Sequence, residues 1–197
     1  MNIELLGFFL FAYSQVGTPG PANLTLLAVG AKYGLKKSIP FVLGVALGKQ
    51  IIIWPIGFGL MTIASSIPFL FLMLKWLSIC YIIWLAYKIA NLRLISNKQD
   101  TKSPNFITGF FIHPLNPKAW AMVITSFSSF ASSDEEVLIT TAMIATGFLI
   151  CQLTLHPLWC FGGEKLATKI SGKTQERYLM LSLAGLTVLS VFFGAIK

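Results

Sequence analysis

The stretch SQVGTPGPANLTL, residues 14–26, decides how this chain folds. Two prolines and two glycines interrupt a segment otherwise apolar enough to cross a membrane, and proline removes a backbone donor and clashes with the preceding turn. Such an interruption is tolerated at membrane depth only where the freed backbone is buried in protein or lines a wet cavity. The same local grammar returns at Asn116-Pro117. In both places a good helix N-cap residue precedes Pro at the first helical position, where the missing N–H costs nothing. Thr18-Pro19 and Asn116-Pro117 each read as a helix restarting in mid-membrane.

Composition points the same way. Of 197 residues, 55% are hydrophobic and 11% are charged, against about a quarter charged in a soluble domain. A span needs roughly 20 apolar residues to cross about 30 Å of hydrocarbon. Runs and breaks place six spans near residues 4–31, 38–64, 67–91, 105–131, 137–161 and 177–196. The expected fold is therefore all-α, a single polytopic membrane domain over 1–197, with repeat one at about 1–92, a polar linker at about 93–104 and repeat two at about 105–197. Glu4 stands where a secretory signal would carry positive charge, and no small-residue cleavage site follows, so the first apolar segment is expected to stay. The net charge of +8 sits in short loops rather than on one soluble face, which argues against nucleic acid. Cys80, Cys151 and Cys160 lack CxxC spacing and read as small buried hydrophobes, with no disulfide framework, metal site or cofactor indicated.

Lys and Arg mark cytoplasmic loops. Lys32, Lys36 and Lys37 follow span one, Lys88, Arg93, Lys98 and Lys102 surround the linker, and Lys165, Lys169, Lys173 and Arg177 follow span five, 11 of the 15 basic residues in all. The alternate loops, SSIP and ASSDEE, hold none, so both termini are expected outside, with Lys197 a mild exception. Three spans per half make the second half enter the membrane in the opposite sense, an inverted repeat. Weak echoes agree: GFF opens both halves at Gly7 and Gly109, Gly44 and Lys49 lie 103 residues before Gly147 and Gln152, and Pro55 lies 102 before Pro157.

With the halves inverted, the two restarts are expected to converge near the midplane, their N–H groups and positive dipole ends facing one pocket suited to a carboxylate. Lys49 falls in mid-span two and Lys118 follows Pro117, while no Asp or Glu falls in mid-span. A central Lys costs about 2.5 to 3.5 kcal/mol on insertion scales, and such residues mark substrate paths or relays. Thr18, Pro19, Gly20, Pro21, Asn23, Asn116, Pro117, Lys118 and Gln152 are the candidate substrate-binding residues, with Gln15 and Gln50 as further polar lining. Lys49, His113 and His156 are candidates for the ion path, the histidines because they titrate near neutral pH. Gly44 and Gly48, in GVALG, have the GxxxG spacing that lets helices pack closely.

From Thr18 onward, TPGPANLTLLAVGAKYGLKKSIPFVLGVALGK resembles the LysE/RhtB-type amino-acid exporter family, and NPKAW at 116–120 resembles that family's second signature. The likeness runs the length of the chain. It implies an inner-membrane, multi-pass secondary exporter of amino acids or related small carboxylates, driven by an ion gradient, with Pro19, Gly20, Pro21, Asn23, Gly44, Gly48, Asn116, Pro117 and Lys118 as its marked positions. The chain departs where the family usually places an acidic residue after the second-span glycine: here stands Lys49. It departs again, in a minor way, at FSSF, where the family tends to have Pro before a Phe. A charged Lys49 joins Lys118 in an anion-seeking pocket; a Lys49 that gives up its proton can itself bind and release a coupling proton. The expected partners are thus the bilayer, a neutral or acidic amino acid or similar carboxylate, and a proton or other coupling ion, with a homodimer left open.

An enzyme or thiol-redox carrier would need cysteines at the breaks, ligand clusters or paired carboxylates. A metal-ion exporter on a related scaffold would need His, Asp or Cys ligands at the midplane. A passive channel and a paralogue that has lost transport through Lys49 complete the alternatives.

Overall fold

A computed structural model describes residues 3–59, 68–94, 104–131 and 136–195. Every regular element among these residues is helical: α1 (Ile3–Gly17), α2 (Pro21–Tyr33), α3 (Leu35–Gly48), α4 (Gln50–Gly57), α5 (Pro68–Ala90), α6 (Phe106–Phe110), α7 (Pro117–Phe130), α8 (Val137–Ile170) and α9 (Thr174–Ala195). Helix satisfies its own backbone, which a lipid-facing segment requires. Most of the linker, with Lys98 and Lys102, the SSI of the SSIP loop, the SSDE of ASSDEE, and Lys197 lie outside the described residues.

The interruptions fall near the expected places, with differences. Span one is split into α1 and α2, and span four into the short α6, a turn, and α7. The first restart begins at Pro21 with Gly20 as its cap, in extended backbone and without a side-chain bond, so Thr18 is not the cap. Span five extends past the expected end at 161 to Ile170. Pro157 does not end it, and Lys169 in the last turn suits the negative end of the helix dipole. Two continuous helical stretches, Leu35–Gly57 and Val137–Ile170, are long and apolar enough to cross a membrane among the described residues.

Polarity is inverted relative to a water-soluble protein. Leu72, Met73, Trp76, Leu77, Ile83 and Trp84 on α5 are exposed, as are Leu138, Ile139, Leu158 and Phe161 on α8, while Lys49, His113, Gln152 and His156 are buried. An apolar coat of this extent marks a surface made for something other than water. Cys80 is exposed too, against the expectation that all three cysteines are buried; Cys151 and Cys160 are.

The buried apolar residues form clusters separated by a polar layer. One cluster joins Phe8, Ala12 and Val16 of α1 to Ile52, Ile53 and Ile56 of α4, Val123 of α7 and Ile144 and Phe148 of α8. A second joins Leu26 and Val29 of α2 to Phe41 and Val45 of α3, Ile112, and Cys160 of α8. Four stretches of chain pass between these clusters. α1–α2 and α8 run from the first to the second; α3–α4 and α6–α7 run from the second to the first. The two broken segments therefore cross the layer in opposite directions.

Glycines bring the backbones together. A Cβ at Gly44 or Gly48 would fall on the carbonyl of Phe106 or Phe110, so α3 lies directly against α6. The α2–α8 crossing is built the same way, and here the sequence reading had singled out nothing: a Cβ on Gly30 would strike the Cys160 carbonyl, and one on Gly163 the Leu27 carbonyl. At the basic end, the Glu164 carboxylate accepts from Leu35 N at 2.8 Å, capping α3, and Glu176 accepts from Leu94 N at 2.7 Å and Gly172 N at 2.9 Å.

The crossing predicts an unequal pair of variants. Gly30→Val has no flexible neighbour to displace and is expected to cost about 1–3 kcal/mol or more, read as a lowered unfolding temperature in detergent. Gly162→Ala, whose Cβ meets nothing within 4 Å, is expected to leave that temperature unchanged.

Candidate functional site

The polar layer contains a small cavity between the two helix breaks. It is lined by Gln15, Val16, Thr18, Gly20, Ala22 and Asn23 from the first break, Lys49 from the α3–α4 junction, His113, Asn116, Lys118, Ala119 and Met122 from the second, and His156 of α8. About 20 Å³ is open to water centres, room for roughly one water molecule.

Each break strands the carbonyl end of one helix and the amide end of the next. The carbonyls after α1 are taken up by side chains. The Asn23 amide donates to Val16 O at 2.7 Å and to Thr18 O at 2.8 Å. Lys118 Nζ donates to Thr18 Oγ1 at 2.7 Å and reaches Pro19 O at 3.4 Å, tying the second break to the first. Gly20 leaves room for this ammonium, since a Cβ there would sit 3.3 Å from it. At the second break, Asn116 Oδ1 accepts from Lys118 N at 3.1 Å and Asn116 O from Ala119 N at 2.9 Å. Trp120 Nε1 donates to Pro114 O at 2.9 Å and holds the turn between α6 and α7.

These bonds revise one expectation. The amides at the start of α7 are consumed by Asn116, and each break also carries a carbonyl end, so the cavity is not simply a meeting of two bare positive helix ends. Lys49 is the side chain left over. It is 0% exposed, its Nζ has no hydrogen-bond partner, and it stands 4.2 Å from the centroid of the Phe148 ring. A cation over an aromatic face gains some attraction, but three N–H donors stay unsatisfied, a costly condition in a buried site.

In the cavity wall, His113 and His156 stack with ring centroids 5.7 Å apart, and His113 Nε2 meets Gln152 Nε2 at 2.9 Å. The Gln152 amide can offer either its nitrogen or its oxygen to that ring nitrogen, so the contact serves either His113 tautomer. His113 Nδ1, His156 Nδ1 and Gln152 Oε1 are buried without partners. With Lys49 Nζ they make four unsatisfied polar atoms in one layer, where native interiors satisfy nearly all.

Of the candidate residues, Gln15, Thr18, Gly20, Asn23, Lys49, His113, Asn116, Lys118 and His156 line the cavity. Pro19 contributes its carbonyl to Lys118, Pro21 and Pro117 start the two helices, and Gln152 bonds His113 from off the lining. Gln50 turns elsewhere, donating to Ala145 O and accepting from Trp54. Gly44 and Gly48 stand at the α3–α6 crossing. Sequence reasoning missed the apolar walls Val16, Ala22, Ala119 and Met122, and Phe148 beneath Lys49. Met122 stands one helical turn beyond Lys118 and so shared its face; Phe148 carried no sequence signal tying it to Lys49. Among the described residues no group of three or more His, Cys, Asp and Glu is placed to hold a metal.

The family model for LysE type translocators matches residues 14–195. Among curated proteins, the chain is similar to the cysteine/O-acetylserine efflux proteins of Salmonella typhi, Salmonella typhimurium and Escherichia coli O1:K1. It is 27% identical to each over 154 residues, which is 75% of this chain and 79% of each relative. No solved structure matches the chain.

The Asn23 bonds give a test that chemistry sharpens. Asn23→Leu strands two carbonyls and is expected to cost about 1–3 kcal/mol. Asn23→Asp, which keeps the shape but only accepts when ionised, should do no better. Thermal unfolding of the two variants in detergent reads both.

Proposed function

The chain belongs to the LysE type translocator family, and from that premise we propose that it exports amino acids or related small carboxylates across the bacterial inner membrane, through a midplane site between the two helix breaks. As a member of a translocator family it is a transporter rather than an enzyme. The observation that carries the site is Lys49, a buried lysine whose Nζ has no hydrogen-bond partner, beside a cavity where the two breaks meet. A substrate carboxylate supplies the acceptor that Lys49 lacks. The names of the efflux relatives support the amino-acid class.

The architecture we infer is six spans in two inverted halves, about 1–92 and 105–197, in one membrane domain with both termini outside. The opposite directions in which α1–α2 and α6–α7 cross the polar layer favour it, as does the pairing of helices: α2 packs on α8, α3 on α6, and α5 on α9. Taken as spans, these contacts pair one with five, two with four and three with six, and exchanging the halves of an inverted repeat turns the first pairing into the second and returns the third to itself. Basic residues at the ends of α2 and α8 and around Arg93, Lys173 and Arg177 agree with a cytoplasmic face there.

The cavity has room for about one water, so a substrate needs it to widen. Lys118, clamped on Thr18 and Pro19, is the contact that joins the two breaks, and admitting a substrate requires it to let go. Secondary transporters rock one half against the other around such a site. The coupling ion we assign is a proton, carried on Lys49, His113 or His156, the titratable groups in the layer besides Lys118. An inside-negative potential adds to the drive for any anion, about 2.3 kcal/mol per charge per 100 mV.

Purified protein in liposomes, loaded with labelled amino acids and organic acids, tests this. Efflux is expected for at least one of them, is expected to fall when an uncoupler removes the proton gradient, and should drop at least roughly tenfold in Lys49→Met. Unchanged efflux in that variant would remove Lys49 from the mechanism.

A further inference from the structure

We propose that the cavity selects net anions: carboxylates whose amino group is acylated or absent, in preference to zwitterionic amino acids. The inference rests on the carboxylate-export reading above and narrows its substrate class. A zwitterion needs donors for its carboxylate and an acceptor, preferably a carboxylate, for its ammonium. The cavity offers the first, and for the second only neutral acceptors with no carboxylate.

Several acceptors around the breaks already hold a donor, which leaves neutral amide oxygens such as that of Gln15 but no carboxylate. Val16 O and Thr18 O bond Asn23, Pro19 O and Thr18 Oγ1 bond Lys118, and Asn116 Oδ1 bonds Lys118 N. Buried without a partner among the lining groups are Lys49 Nζ and the ring nitrogens His113 Nδ1 and His156 Nδ1. Gln152 Oε1, a buried atom that can only accept, belongs to a residue off the lining. No acidic residue lines the cavity. The sequence places Asp and Glu at positions 4, 100, 134–136, 164 and 176 alone. Glu164, the acid nearest to His156 in sequence, is eight residues away, about 12 Å along α8, and its carboxylate already caps α3. An incoming ammonium would therefore face Lys49 and Lys118 with no counter-charge, and like charges at such range repel strongly in a low-dielectric site.

Binding to the purified wild-type protein, measured by calorimetry at one pH, separates the cases without relying on any variant's folding. N-acetylserine and succinate stand for net anions, serine and O-acetylserine for zwitterions. At least a roughly tenfold tighter affinity for the anions is expected, with N-acetylserine binding lost in Lys49→Met and the preference narrowed in Lys49→Glu. Zwitterions bound within tenfold of the anions, or no anion binding at all, overturn the proposal. Anion binding that depends on Lys49 in a protein that moves nothing across liposomes leaves this site standing and removes the export reading instead.

Discussion

A broken helix leaves carbonyls that no amide of its own helix satisfies, and the rest of this structure follows from how they are taken up. Asn23 takes two of them with a single amide group, and Lys118 arrives from the other break to take a third together with the Thr18 hydroxyl. Because one of these side chains comes from α7, satisfying the first break fixes the position of the second. The cavity is what remains between them.

This division leaves the two lysines with different work. Lys118 belongs to the architecture: its ammonium bonds two groups of the first break and marks the point where the breaks hold each other. Lys49 is buried with its donors unanswered and an aromatic face beneath it. An uncompensated buried charge is among the least stable arrangements a protein keeps, so a lysine placed there calls for an acceptor or for loss of its proton. The site's character therefore rests on a side chain at the α3–α4 junction more than on helix dipoles.

Much of this was legible in the sequence. The two Pro-containing elements located both breaks, because proline punctuates a helix wherever it sits, and Asn116 is the cap at the second. The first restart lay two residues later than Thr18, since Gly20 takes the extended cap conformation while the Thr18 hydroxyl donates to Gln15 O and accepts from Lys118. Lys49, His113 and His156 were recognisable as polar residues in apolar runs. What sequence could not supply was partnership: Gln50 and Gln152 look alike in an apolar run, yet one bonds a carbonyl in α8 and the other a histidine beside the cavity. Gly30 and Gly163 were equally illegible, since their role depends on which carbonyl approaches them from another helix.

The central claim is that the two breaks meet across one cavity, and cross-linking between them measures it most directly. The three native cysteines are replaced, Thr18→Cys and Asn116→Cys are introduced, and a protease site is placed in the 95–103 segment. After treatment in membranes with a short bismaleimide, the account predicts that the two halves stay joined once the chain is cut, while a control pair of Thr18→Cys with Thr174→Cys separates. Halves that fall apart equally in both pairs would contradict it.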